Sequence, residues 1–190
     1  MSQRLLERLR ERFGDKIVET HSQHGDDTAI VATDAWVEVA RFLRDDPRAD
    51  MRLFLDLCAV DYPHREPRFE VVAHLYSLSL RHRLRLKARV GDVDGDGAVL
   101  DTLTGVWPAA NWFERETFDL MGIEFRGHPD LRRILLYPEF VGHPLRKDYP
   151  ADKTQPLVPF RPGYDKLPPF DSFEGMSFGR QVFRTGKAEN

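Results

Sequence analysis

The sequence has one cysteine, Cys58, in 190 residues. A single thiol excludes a disulfide within the chain and any all-cysteine zinc or iron–sulfur site. Long hydrophobic runs are lacking as well: charged residues interrupt every apolar stretch before it reaches the ~18–20 residues that a membrane-spanning helix needs. The opening segment places Glu7 and Glu11 among its arginines and has no apolar core of a signal peptide, so the expectation is a chain that stays in the cytoplasm. Neither sign of charge dominates, since 28 basic residues face 31 acidic ones for a net charge of −3. That removes the usual footprint of a nucleic-acid binder. Lysine is scarce, with six against twenty-two arginines, a bias that suits bidentate pairing with carboxylates. Gly-x-Gly-x-x-Gly, Gly-x-x-x-x-Gly-Lys-Ser/Thr and Gly-x-Ser-x-Gly are all absent, so nothing marks a dinucleotide cradle, a triphosphate cradle or a nucleophile elbow.

What the chain does have is a regular order of elements. Leu5, Leu6, Leu9 and Phe13 share one face of a helix over residues 2–13, with Gly14 to end it. Residues 28–32 read as a short strand. Asp34 is expected to cap a second helix whose Trp36, Val39, Ala40 and Leu43 keep helical spacing until Pro47. Strands are expected at 51–60, 69–80 and 81–90, the first two divided by the turn-rich residues 61–67. A third helix is expected from near Pro108 to a Gly122 cap, burying Trp112, Phe113, Leu120 and Met121. The order predicts an α+β fold of two layers, a mixed and mostly antiparallel sheet covered by helices. Six of the thirteen prolines fall between Pro150 and Pro169, with Phe160, Tyr164, Phe170, Phe173, Phe178 and Phe183 spread along the last forty residues, so the tail is expected to be an extended arm lying on an apolar surface. The divisions expected are an α/β domain at 1–126, a ribbon at 127–150 and the arm at 151–190.

Several candidate sites compete. Asp92-Val-Asp-Gly-Asp-Gly97 copies the start of an EF-hand loop, but Leu103 stands where the bidentate glutamate belongs, and a polar turn is expected instead. Arg83, Arg85, Lys87 and Arg89 alternate with Leu84, Leu86, Ala88 and Val90, which reads as the wet face of a sheet balanced by acids across the strand; a phosphate-gripping row is the rival reading. Glu116 and Asp119, three residues apart, could share a helix face and with His128 or His143 supply a metal or acid–base site. Arg115, four residues before Asp119, is placed to neutralise it in a surface ion-pair network instead. Cys58, within an apolar strand, is expected to be an inert core thiol.

The densest text runs from Gly127 to Pro150. It holds two Gly-His-Pro triplets fifteen residues apart, each followed by a basic step, Arg132-Arg133 and Arg146-Lys147. Such a ribbon either clips its own domain together or offers guanidiniums to a partner. Three runs, Trp112-Phe-Glu-Arg-Glu-Thr-Phe-Asp-Leu-Met-Gly122, Gly127-His-Pro-Asp-Leu-Arg-Arg-Ile-Leu135 and Gly142-His-Pro-Leu-Arg-Lys-Asp-Tyr-Pro150, resemble the signature of the 30 kDa subunit family of NADH:quinone oxidoreductase, respiratory complex I.

The resemblance implies an α/β fold with two helices covering one side of a mixed sheet. It implies a non-catalytic structural subunit in the peripheral arm of a proton-translocating complex, on the cytoplasmic side of the cell inner membrane, touching the membrane only through the complex. No cofactor, metal or catalytic residue is implied in this chain; FMN and iron–sulfur clusters would belong to partner subunits, and the docking partners would be the large quinone-site subunit and the iron–sulfur subunits. Carried onto this sequence, Glu114, Arg115, Glu116 and Asp119 fall in the signature helix, and His128, Asp130, Arg132, Arg133, His143, Arg146, Lys147 and Asp148 in the docking ribbon. The equivalent subunit of a related membrane-bound hydrogenase, or of an F420H2 or ferredoxin dehydrogenase, would carry the same signature. A free-standing metal enzyme built on Glu116 and Asp119 is the expectation from a different class.

Overall fold

In the computed structural model, residues 2–158 are described, and residues 2–155 form one unit. The order is α1 (Ser2–Phe13), β1 (Ile17–Gln23), β2 (Asp26–Val31), α2 (Trp36–Asp45), β3 (Leu53–Asp61), β4 (Phe69–Ser77), β5 (His82–Val90), β6 (Val99–Asp101), α3 (Ala110–Met121) and β7 (Glu124–Arg126). Five strands form one sheet in the order β1-β2-β5-β4-β3, and β6 pairs with β7 in a second, two-stranded sheet. Only the β2–β5 pairing in the large sheet is parallel, which makes it mixed and mostly antiparallel. The fold is α+β, as its residue patterning predicts. The aromatic arm lies, from residue 159 on, outside the described residues.

The apolar stripes of the helices dictate their packing. Leu5, Leu6, Leu9 and Phe13 of α1 and Trp36, Val39, Ala40 and Leu43 of α2 join one core with the inner face of the sheet. That face is written by strand alternation: Phe69, Val71, Ala73 and Leu75 of β4 register against Val90, Ala88, Leu86 and Leu84 of β5. Each fully buried large side chain contributes about 1.5–3 kcal/mol, so this shared face dominates stability. Asp34 does not cap α2; it lies in a 3-10 turn, Thr33–Ala35, that leads into the helix without a side-chain cap.

The opposite face of the sheet is polar. Arg83, Arg85, Lys87 and Arg89 project from it and are matched by acids: Lys87 to Glu70 at 2.7 Å, Arg89 to Glu70 at 3.3 Å and Glu19 at 3.1 Å, and Arg85 to Asp26 at 3.4 Å. The basic strand is therefore the balanced wet face of a sheet. Cys58 also lies on this side, registered with Val72, and is exposed rather than in the core. The reason is position: β3 is an edge strand, so its outer-face side chains lack a neighbour on one side. Its outer edge is met by α3, where the Thr117 hydroxyl donates to the Leu57 carbonyl at 3.4 Å, which blunts an edge that would otherwise pair with another chain.

A buried acidic helix face that anchors a ribbon

Helix α3 follows Trp107, whose indole N–H donates to the Met51 carbonyl at 3.1 Å and whose ring lies 5.3 Å from Phe54. Its buried positions are Ala110, Glu114, Thr117 and Asp119. The expected apolar face is corrected in part: Phe113 and Met121 are part-buried and pack against the core, but Leu120 is only part-buried and Trp112 is exposed. Glu116 is exposed while Asp119 is fully buried, so the two carboxylates do not share a face. A helix buries acids only if they are hydrogen-bonded or paired. The ribbon of residues 127–150 supplies what Asp119 requires.

The Asp119 carboxylate accepts the N–H groups of Ile134 at 3.0 Å, Leu135 at 2.8 Å and Leu136 at 2.9 Å, and the Arg133 guanidinium at 2.6 Å. Three successive backbone N–H groups turned on one oxygen make an anion nest, with the carboxylate of the protein's own helix as its ligand. Burial raises the carboxyl's pKa, but the Leu136 N–H, Arg133 and the other two N–H groups outweigh it and hold Asp119 below the usual carboxylate range. Arg133 also donates to the carbonyls of Asp119 at 3.1 Å, Phe140 at 3.1 Å and Gly142 at 3.0 Å. Arg115 does not neutralise Asp119 along the helix; it donates across to the carbonyls of Arg132 at 3.1 Å and Arg133 at 3.2 Å.

Both histidines of the Gly-His-Pro triplets pin the ribbon to α3. His128 donates from Nε2 to the Asn111 carbonyl at 3.1 Å and accepts the Asp130 N–H at Nδ1 at 3.0 Å. His143 donates from Nδ1 to the Asp119 carbonyl at 2.9 Å, and burial lowers its pKa, which favours the neutral ring. The ribbon crosses the helix C-terminus so closely that Gly122, left-handed at φ 74°, could carry no side chain: an added Cβ would lie 2.5 Å from His143 Cδ2 and 2.7 Å from Arg146 Nη2. Arg146 donates to the Met121 carbonyl at 2.6 Å and lies over the Phe69 ring at 5.1 Å.

The end of the ribbon is tied to the sheet. Arg68, almost fully buried, makes a bidentate pair with Asp61 at 2.7 and 2.8 Å and reaches Asp148 at 3.0 Å. Asp61 and then Asp148 raise the pKa of Arg68, and Arg68 holds both acids below the usual carboxylate range. The Lys147 N–H donates to Asp61 at 2.7 Å. Arg68 also donates to the carbonyls of Val93 and Asp94, at 3.4 and 3.2 Å. The EF-hand-like segment is thus a turn whose carbonyls take a guanidinium, closed by the Asp92 carboxylate accepting the Asp96 N–H at 2.8 Å.

Of the residues singled out in the sequence, Glu114, Asp119, Arg115, His128, Arg133, His143, Arg146 and Asp148 converge on contacts within the chain. Glu116 and the Lys147 side chain are exposed, and Asp130 and Arg132 pair with each other at 3.0 Å on the surface. Asp61, Arg68, Phe69 and Thr102 belong to the same network without any mark in the sequence around them. Asp61 and Arg68 are only seven residues apart, but their partners in the ribbon are distant along the chain; Arg68 and Asp148 are eighty residues apart.

Comparison with known proteins gives the family of the chain. The family model described as respiratory-chain NADH dehydrogenase, 30 Kd subunit, matches residues 29–155. An NADH-quinone oxidoreductase subunit from Roseiflexus sp. (strain RS-1) is 51% identical over 156 residues, covering 82% of this chain and 88% of its own length. One of the same name from Geotalea uraniireducens (strain Rf4) is 47% identical over 147 residues, 77% of this chain and 87% of that one. Among solved structures, a trypsin-resistant fragment of Nqo5 aligns with TM-score 0.56 at 28% identity, over 68% of this chain and 98% of the fragment. A chain of the membrane-bound sulfane sulfur reductase, an archaeal respiratory membrane complex, aligns with TM-score 0.65 at 26% identity, over 79% of this chain and 86% of its own.

Proposed function

The chain belongs to the 30 Kd subunit family of respiratory-chain NADH dehydrogenase, and from that premise we propose that it is a non-catalytic structural subunit that holds its partners in register in the peripheral arm of a quinone-reducing, proton-translocating complex. It works as part of an oxidoreductase complex, together with other subunits of that complex. The finer reading is that its ribbon docks on the large quinone-site subunit and on iron–sulfur subunits, that FMN and the clusters sit in those partners, and that the complex holds it at the cytoplasmic side of the inner membrane. No helix among the described residues is long and apolar enough to cross a membrane.

One observation carries this reading. The ribbon is fixed by its guanidiniums and histidines to its own domain, yet it holds large apolar side chains outward: Leu135 is 62% exposed, Leu145 51% and Val141 50%, and Trp112 of α3 is 66% exposed. A rigid backbone presenting exposed apolar anchors is the arrangement a protein interface uses, because little ordering entropy is lost on docking. The guanidiniums are the scaffold and the apolar side chains the contact. Leu135→Asp combined with Leu145→Asp, in the tagged full chain expressed in its own cells, should abolish recovery of quinone-site and iron–sulfur subunits from solubilised membranes. The purified variant should keep the wild-type melting temperature. Recovery of those subunits at wild-type yield would overturn the docking assignment.

A further inference from the structure

Glu114 is fully buried, yet unlike Asp119 it has no guanidinium or ammonium partner; the only group of opposite potential charge near it among the described residues is His128, with Nε2 at 4.0 Å. Its carboxylate accepts the Leu103 N–H at 2.6 Å and meets the Thr102 hydroxyl. His128 donates from Nε2 to the Asn111 carbonyl and accepts the Asp130 N–H at Nδ1, so both ring nitrogens are engaged by groups other than the Glu114 carboxylate. The other charged groups close in sequence are engaged elsewhere. Arg115 bonds the ribbon carbonyls, Glu116 is exposed, Asp101 pairs with Arg126 at 2.6 Å, and Asp130 pairs with Arg132.

The hydroxyl of Thr102 lies 2.9 Å from that of Thr104, and it also accepts the Thr104 N–H at 3.1 Å. This chain of hydroxyls is satisfied in two directions. With Glu114 ionised, Thr104 donates to Thr102 and Thr102 donates to the carboxylate. With Glu114 neutral, the carboxyl O–H donates to Thr102, and Thr102 donates to Thr104. Thr104 is only part-buried, so the chain leads from an enclosed carboxyl to the surface.

We propose that Glu114 is a proton-binding site beneath the first Gly-His-Pro turn, whose proton exchanges with solvent along the Thr102–Thr104 hydroxyls and whose occupancy sets how firmly that turn is seated. Loss of the proton leaves a negative charge enclosed under His128 with two hydrogen-bond donors and no cation. Burial, opposed by the Thr102 and Leu103 hydrogen bonds, pushes the carboxyl up to about 7, within the range over which the cytoplasm varies. The inference holds whether or not the ribbon docks as proposed above.

The test is infrared spectroscopy of the purified full chain across neutral pH. Ordinary carboxyls, with values of about 4, are ionised above about pH 6. The wild type should nevertheless keep a neutral-carboxyl C=O band there and lose it with a midpoint of about 7. Glu114→Gln should lack the band, and Thr102→Val, which removes the hydroxyl donor to the ionised form, should move the midpoint upward. At Glu114 the folded state holds a proton that the unfolded chain has released, so this group's contribution to stability falls as pH rises from the ordinary glutamate value to about 7. His74 and His143, whose pKa values burial lowers, pull the other way near neutrality, so the reading is the ratio of wild-type to Glu114→Gln folding constants, which should drop by up to roughly tenfold per pH unit across that window. Absence of the band in the wild type above about pH 6, its survival in Glu114→Gln, or an unmoved midpoint in Thr102→Val would each overturn the proposal. If Glu114→Gln does not fold, the wild-type and Thr102→Val spectra decide alone.

Discussion

Replacing Asp119 by asparagine changes one oxygen to an NH2 group and leaves the volume almost untouched, so its effect isolates the anion nest. The wild-type carboxylate accepts three ribbon N–H groups on Oδ2 and the Arg133 guanidinium on Oδ1. Asparagine keeps one acceptor oxygen. If that oxygen faces the nest, the NH2 confronts Arg133; if it faces Arg133, the NH2 confronts three N–H donors. Either way the part-buried guanidinium or the N–H cluster loses its counter-charge. Hydrogen bonds to a charged group contribute about 1.5–3 kcal/mol each, but these share one acceptor and do not add. Removing one partner of a buried ion pair costs about 3–5 kcal/mol, and that is the figure expected for Asp119→Asn. With a urea slope of about 2 kcal/mol/M the unfolding midpoint should fall by roughly 2 M. Amide exchange on the purified chain supplies the local reading: the N–H groups of Ile134, Leu135 and Leu136 should lose protection first. Wild-type exchange at these three amides would refute the nest as the ribbon's main anchor, whatever the midpoint did.

Two further perturbations probe the remaining anchors. Gly122→Ala introduces a Cβ where His143 stands 2.5 Å away and at a φ of 74°, so it should destabilise the chain by about 1–3 kcal/mol in thermal unfolding; an unchanged melting temperature would mean that the ribbon does not press on the helix cap. Arg68→Ala strips Asp61 and Asp148 of their shared cation and should cost about 3–5 kcal/mol by urea unfolding, with Arg68→Lys recovering little because a single ammonium cannot reproduce the bidentate pair. Full recovery by lysine would show that charge alone, without geometry, holds this junction.

The parts of the fold legible in the sequence are those where one local rule acts alone. The stripes of α1 and α2 and the alternation of β5 face a common core, and hydrophobic period suffices to read them. Strand β1 escapes such a reading because, after Ile17 and Val18, its residues are polar, as suits a strand at the sheet margin. The parallel pair β6–β7 is too short, at three residues each, to show any period. On α3 the helix and its Gly122 cap are readable, but the buried face is not. Apolar period points to Trp112 and Leu120, whereas the side actually enclosed carries Glu114, Thr117 and Asp119, made tolerable only by partners supplied from elsewhere in the chain. Cys58 misleads for a related reason: an apolar strand reads as buried, and nothing in its own residues tells that it forms an edge. The signature between Asn111 and Pro150 spans the contacts of α3 with the ribbon, yet which of its arginines face inward follows only from the carbonyls they meet.

The Arg68 junction has a consequence for the order in which the chain can become complete. It joins the end of β3, the turn after β5 and the ribbon at Asp148, so it closes only after nearly the whole unit has been synthesised. The Lys147–Asp61 contact spans eighty-six residues. Contacts that close loops of this length form late, because the entropy of bringing the ends together must be met before any favourable interaction is gained. The end of the ribbon, from Leu145 to Asp148, therefore acquires its fixed positions only when the sheet is finished. A partner that reads those positions is in effect reading whether this chain has finished folding.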